Sequence, residues 1–315
     1  MSTAPLDSLG IGIPTLFAGR HFDRSSLIEL LDVVEEGGAG AITVGDHLNW
    51  YTTSLECLST MAFIAARTAL PLMPNVLVLP LRQPFATMKM LTTIHHLSVG
   101  GVSCGVGVGG EHAREFAAAG LDPSERGPRT DEQLGIITRL LSGEVVDHDG
   151  PFYAVNQAHL DPLMAMPLLI GGRSRVALER VVRYGDGWTS AWCTPSQVRS
   201  RADELRELWK AAGRAGTPRV EAHTRVVLGK TVDAAWGEAG PFLQRHYGVD
   251  PEPFRRHTVC GPPDAVIPQL LAYYDVGVDR LNVTFAGDNQ LAQAHWFMRD
   301  VLPVLAESRT GRDGD

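Results

Sequence analysis

Pro167-Leu-Leu-Ile-Gly-Gly-Arg-Ser-Arg-Val-Ala-Leu178 is an apolar run that breaks at two glycines and restarts with helical spacing. Residues 167–170 read as a buried strand, Gly171 and Gly172 as a turn, and Ser174 as the N-cap of a helix. One βα unit is thereby written into twelve residues. Glycines let a backbone approach closely, and the N–H groups in the first turn of a helix point outward, so this turn also fits an anion seat. Arg173 would add a cationic fork beside it. Taken alone, the same residues fit an ordinary βα turn whose glycines serve close packing.

Working outward, short apolar runs recur at 9–13, 41–44, 75–79, 102–108, 167–170, 188–191, 221–228 and 280–283, with amphipathic stretches between them. Strands that alternate with helices pair in parallel, and eight such units close most naturally into a (β/α)8 barrel, an α/β fold. An open doubly wound sheet is the alternative. Helix starts are expected at Ser26 with Glu29, Thr130 with Gln133, and Thr194 with Pro195 and Gln197, each a capping box. Two long intervals interrupt the pattern. Residues 144–166 contain Asp149-Gly150 and predict a small hairpin. Residues 231–257, after the seventh strand, predict an inserted helix over one end of the barrel, with Trp236, Phe242, Tyr247 and Phe254 as packing residues. The expected layout is one domain over 1–306 and a disordered tail over 307–315.

Composition narrows the classes. The chain has 315 residues, 44% hydrophobic and 20% charged, with a formal charge of −8, which argues against nucleic acid or an anionic membrane as partner. No segment is long and apolar enough to span a bilayer, and the N-terminus lacks the pattern of a secretory leader. Cys57, Cys104, Cys193 and Cys260 stand far apart. Reduced thiols and a cytoplasmic location are expected.

In a (β/α)8 barrel the chemistry sits at the C-terminal ends of the strands. The second strand ends in Asp46-His47, the third in Pro80-Leu-Arg-Gln-Pro84, the fourth in Gly105-Val-Gly-Val-Gly-Gly-Glu111, and the fifth in the 171–174 turn. Two glycine turns on successive strands favour the anion reading of the opening motif. The 105–110 run lacks G-x-G-x-x-G spacing into a helix, so a dinucleotide-binding assignment is weak. A histidine at such a position suits a general acid or base, so His47 is a candidate, with Asp46 beside it to modulate it. The plainer reading is a pair that satisfies loop backbone. His95-His96, Glu111-His112 and Asp147-His148 lack ligand spacing, and no metal site is expected.

These motifs, in their order, resemble the bacterial luciferase-like monooxygenases and their deazaflavin-dependent relatives. The resemblance is carried by Gly45-Asp-His47, Val78-Leu-Pro-Leu-Arg-Gln-Pro84, Leu97-Ser-Val-Gly100, Gly105-Val-Gly-Val-Gly-Gly110, Arg126-Gly-Pro-Arg-Thr-Asp-Glu132, Gly143-Glu144 with Gly150-Pro-Phe-Tyr153, and the 167–174 run followed by Gly185-Asp-Gly-Trp188. It implies a (β/α)8 barrel that holds FMN or coenzyme F420 at its C-terminal face. The phosphate would lie on Gly171, Gly172, Arg173 and Ser174, near Gly107, Val108 and Gly109. The ring would rest on a bulge with a non-proline cis peptide within Asn75, Val76 and Leu77. His47 would stand by the reactive ring atom, with Asp46 on the same coenzyme side. Trp50, Trp188 and Trp192 would line the substrate side or serve packing. A homodimer and a small-molecule substrate are also implied. The chain departs from the family pattern at Leu97-Ser-Val-Gly-Gly101 and at His95, where an acid is usual, which threatens a structural ion pair more than catalysis.

The leading function is hydride transfer between F420 and a small organic substrate, because the 126–132 and 171–174 stretches look more like the F420 branch. An FMN-dependent monooxygenase that uses reduced flavin and O2 is the alternative. A non-catalytic flavin-binding protein is a third reading, which His47 argues against. A barrel enzyme acting on a sugar phosphate would need lysines or carboxylates at several strand ends, and these offer mainly glycine and aromatics.

Overall fold

The structure, a computed structural model, describes residues 6–17, 22–110 and 112–310. Its barrel elements follow in order: β1 (Leu6–Ile13), α1 (Arg24–Glu36), β2 (Ala39–Val44), α2 (Cys57–Ala65), β3 (Leu72–Pro74, resuming at Leu77–Val78), α3 (Pro84–Leu97) and β4 (Cys104–Gly107). Next come α4 (Ala113–Ala118), α5 (Arg126–Leu141), β5 (Leu168–Gly171), α6 (Arg175–Tyr184), β6 (Gly187–Ala191), α7 (Pro195–Ala211) and β7 (Arg219–Leu228). The chain ends with α8 (Val232–Tyr247), α9 (Pro263–Tyr274), β8 (Arg280–Phe285), α10 (Gln290–Asp300) and α11 (Leu302–Thr310).

All strand pairs in the main sheet are parallel, in the order β3-β2-β1-β8-β7-β6-β5-β4-β3. The sheet closes because the two halves of β3 take different neighbours. Leu72, Met73 and Pro74 pair with Ile42, Thr43 and Val44 of β2, whereas Leu77 and Val78 pair with Val106 and Gly107 of β4. Between the halves lies a cis peptide bond, Asn75–Val76. The open doubly wound alternative is excluded by this closure.

The strands are apolar because both of their faces are covered: every residue of β2 and of β5 is buried. Helices bury one stripe each, such as Ala177, Leu178 and Val181 on α6. Inside the barrel, glycines make room for polar side chains. A Cβ at Gly10 would collide with the Asn282 amide, and one at Gly12 with the Thr284 hydroxyl. Those two β8 side chains join β7 across the interior, Asn282 Nδ2 donating to Glu221 at 2.9 Å and the Thr284 hydroxyl bonding His223 Nε2 at 2.9 Å.

Several local expectations need correction. The cap of α1 is Asp23, which accepts the Ser25 and Ser26 N–H groups, so Ser26 lies inside the helix. Helix α5 starts at Arg126, which places Thr130 in its second turn with its hydroxyl donating to the Arg126 carbonyl. The Thr194–Gln197 capping box is formed. The Asp149-Gly150 hairpin is present as antiparallel Val146–Asp149 and Ala154–Ala158. After β7 the chain builds α8, a 3-10 turn at Glu252–His257, and a strand not foreseen, Thr258–Gly261, which pairs with β7. The tail expected from residue 307 is helical as far as Thr310 within α11, and 311–315 lie outside the described residues.

Candidate active site

The C-terminal ends of all eight barrel strands, together with α8, enclose a cavity of about 600 Å³. That volume suits a small-molecule site. Its two ends differ in kind.

At one end, backbone does most of the building. A Cβ at Gly107 would lie 2.6 Å from the Val76 side chain, and one at Gly171 would lie 3.2 Å from the same residue, so the turns after β4 and β5 both close onto the β3 bulge. Gly172 has φ +129, a conformation that L side chains rarely adopt, and a Cβ there would also meet Ala177 at 2.7 Å. Ser174 caps α6 by accepting the Ala177 N–H at 3.3 Å. Arg173 and Arg180 line this end. Arg180 is held by Asp131 at 2.7 and 3.1 Å. Two buried polar atoms on the same wall lack a partner among the described residues, Asn75 Nδ2 and Ser190 Oγ. The Asn75 Oδ1 is occupied by the Thr189 hydroxyl at 3.1 Å. A cradle of glycines, a capped helix N-terminus, cationic forks and orphaned donors fit a flat polar ring that carries a phosphate tail.

His47 stands at the end of β2. Its Nδ1 lies 3.2 Å from the buried Glu115 carboxylate, which also accepts the Leu48 N–H at 2.8 Å. A carboxylate only accepts, so Nδ1 carries the hydrogen and Nε2 is the nitrogen available to a bound molecule. The imidazole stacks on Trp50 with ring centroids 3.6 Å apart. Trp50 is in turn fixed by donating its indole N–H to the His246 carbonyl at 2.7 Å. Position, tautomer and ring plane are therefore all set by neighbours.

The far end is lined by side chains from β6, β7 and α8. Glu221, His223 and Arg225 alternate along β7, and the last two reach the cavity. Desolvation deep in the barrel, with help from Arg225, pushes His223 down to about 3, so it is neutral at physiological pH. Burial pushes His246 down too, with Arg225 and His47 adding to the effect. Arg225 lies over the Trp192 ring at 4.3 Å and the Tyr247 ring at 5.3 Å, and donates to the Tyr247 hydroxyl.

The expected site residues are placed as follows. His47, Asn75, Val76, Gly107, Val108, Gly109 and the 171–174 turn all line the cavity, as does Trp192. Asp46 touches the wall, but its carboxylate is committed elsewhere: it accepts Arg82 Nη2 at 2.6 Å, Arg82 Nε at 3.2 Å and the Val78 N–H at 2.9 Å. Burial pushes this carboxyl up while Arg82, Val78 and His47 pull it down. Asp46 thus pins the β3 bulge at the edge of the cavity. Leu77 is fully buried behind the wall, because pairing with Val106 turns it away. Trp188 has no exposed surface and donates its indole N–H to the Gly172 carbonyl at 2.7 Å, so it braces the cradle and does not face substrate. Trp50 also lies behind the wall, under His47.

Phe242 and Tyr247, expected to be packing residues, line the cavity. Glu115, Arg225 and His246 were missed. Glu115 is far from His47 in sequence, and its only signal is an acid just beyond the 105–110 turn. Arg225 had a clearer one: the period-2 series Glu221, His223, Arg225 puts three polar groups on one face of an otherwise apolar strand. Among the other candidates, His95 accepts the Val102 N–H at 3.0 Å and so does structural work where an acid is usual. Glu111 lies outside the described residues, within which no group of three potential metal ligands occurs. The four cysteines are unpaired and buried, and desolvation pushes Cys104 and Cys260 up to about 12, toward the inert thiol form.

The sequence pattern of the luciferase-like monooxygenases matches residues 11–252. The chain belongs to that family. An uncharacterized protein of Mycobacterium tuberculosis is 30% identical over 176 residues, which span 55% of this chain and 60% of that protein. The F420-dependent glucose-6-phosphate dehydrogenase of Beutenbergia cavernae is 25% identical and aligns with 91% of this chain and 95% of its own. Among solved structures, an F420-dependent secondary alcohol dehydrogenase in complex with an F420-acetone adduct superposes with a TM-score of 0.82 at 16% identity, covering 95% of this chain and 98% of that one. The oxygenating constituent of 3,6-diketocamphane monooxygenase from Pseudomonas putida, in complex with FMN, gives a TM-score of 0.72 at 15% identity, covering 96% and 98%. These two likenesses establish the fold alone. Among the described residues no helix is long and apolar enough to cross a membrane.

Proposed function

We propose that this enzyme transfers a hydride between coenzyme F420 and a small organic substrate, with His47 as the group that gives or takes the accompanying proton. The observation that carries this reading is the meeting of two parts in one cavity: the glycine cradle closed onto Val76, and a histidine whose Nδ1 is held by Glu115 while Nε2 is left for chemistry. F420, when bound, supplies two-electron hydride chemistry. The chain's own residues do the rest. The 171–174 turn and Arg173 would hold the phosphate, while Asn75 Nδ2 and Ser190 Oγ would meet polar ring atoms. Val76 would support the ring from below. Glu115 and Trp50 keep His47 in one tautomer and one plane, so that Nε2 needs little reorganisation to move a proton.

The choice of F420 over FMN rests on the 126–132 and 171–174 stretches. The B. cavernae relative, similar over most of its length and named as F420-dependent, supports it. Titration of the purified protein with each coenzyme, read by fluorescence quenching, tests the choice. Saturable binding of F420 with no comparable binding of FMN is expected. Tight binding of FMN and none of F420 would assign the site to flavin monooxygenation instead.

A further inference from the structure

We propose that the substrate carries a carboxylate, that Arg225 grips it, and that the aromatic frame of Trp192 and Tyr247 aims the guanidinium for this purpose. The inference rests on the reading of the cavity as the place where substrate is converted.

Arg225 lines the cavity from β7, and among the described residues no carboxylate forms an ion pair with it. Its neighbours include the faces of Trp192 and Tyr247 and the Tyr247 hydroxyl. Aromatic faces orient a guanidinium and partly offset its desolvation, but they leave its net charge in place. A charge kept in a semi-enclosed cavity without a counter-charge is costly unless a ligand provides one. The other cavity arginines serve the cradle end, where Arg180 already has Asp131. Arg225 stands apart from them, near the pair that reacts: His246 feels the charge of both Arg225 and His47, and its carbonyl holds Trp50 beneath His47. His246 lines the same wall, and its buried Nδ1 has no partner among the described residues. His246 and Arg225 therefore both line the cavity, the one with an unsatisfied ring nitrogen and the other with no counter-charge among the described residues. A planar carboxylate matches the fork of an arginine in two parallel hydrogen bonds, and a substrate so held would present its body to His47.

Benzoate is the probe, benzamide its neutral counterpart, and binding to the full chain is measured by calorimetry and by Trp192 fluorescence, with and without F420. Benzoate is expected to bind more tightly than benzamide. Arg225→Met should weaken benzoate roughly 10- to 100-fold, the effect of losing hydrogen bonds to a charged group, and leave benzamide and F420 unchanged. Arg225→Lys keeps the charge without the fork and should fall between wild type and Arg225→Met; it carries the test if the methionine variant unfolds. Arg173→Met should spare benzoate. Equal benzoate affinity in wild type and both Arg225 variants would overturn the inference, as would loss of benzoate binding through Arg173→Met alone. If benzoate binds through Arg225 but F420 does not bind at all, the proposed function fails while the carboxylate site stands.

Discussion

The cradle end and the insertion end of the cavity are made of different material. At the cradle end, Gly107 and Gly171 bring main chain against Val76 and Gly172 against Ala177, beside the capped N-terminus of α6. At the insertion end, Trp192 just beyond β6, Arg225 on β7, and Phe242 and Tyr247 on α8 converge, and side chains make the wall. Main chain looks alike whatever the local side chains are, so the first end suits a common coenzyme. Side chains can be exchanged one at a time without disturbing the barrel, so the second end suits recognition of a particular substrate. His47 stands between the two.

That division can be broken in several ways, the largest at the junction. His47→Gln should lower kcat/KM by about 10²- to 10⁴-fold, the usual worth of a positioned acid or base, while F420 affinity changes little. Unchanged turnover would remove His47 from the chemistry. Next in size is Gly107→Val. Its Cβ alone would press Val76 at 2.6 Å, so the bulge must shift; a loss of about 1–3 kcal/mol in urea unfolding and at least tenfold weaker F420 binding are expected. If substrate affinity falls and coenzyme affinity does not, the two ends have been assigned the wrong way round.

Acid sensitivity tests the interior beneath both ends. His223 titrates near 6.5 when unfolded and is pushed down to about 3 in the fold, so between those values the unfolded chain binds a proton that the folded chain refuses. Stability should be fully present above pH 6.5 and decline as the pH falls toward 3, by at most about 1.4 kcal/mol per pH unit from this group. Buried His246 acts in the same direction. Chemical denaturation at pH 7 and pH 5 should show a smaller drop for His223→Gln than for wild type; equal drops would mean that His223 is not desolvated. The smallest effect is expected at the α6 cap. Ser174→Ala should cost about 1 kcal/mol of stability, with a few-fold loss of F420 affinity and no change for benzoate.

How far the sequence could be read follows the same division. Eight strand-helix units and both glycine turns were legible, because periodicity and glycine placement are local properties, whereas the third-strand bulge came only from the family resemblance. Asp46 and Trp188 stand out in the sequence, but their hydrogen-bond partners do not. Adjacency to His47 said nothing about Arg82, thirty-six residues on, which claims the Asp46 carboxylate, nor about Gly172, whose carbonyl takes the Trp188 indole N–H. Glu115 was invisible for the same reason, since its role exists only once β2 and α4 meet. Arg225 was legible in principle, as the third polar residue on one face of β7, but it lies within an otherwise apolar run.

The most direct test of the two-ended cavity is the structure of the protein crystallised with F420 and benzoate together. The phosphate should lie on the N–H groups of the 171–174 turn, the ring against Val76 with His47 Nε2 beside it, and the carboxylate on Arg225. A coenzyme phosphate found on Arg225, with the glycine turn facing solvent, would contradict the account.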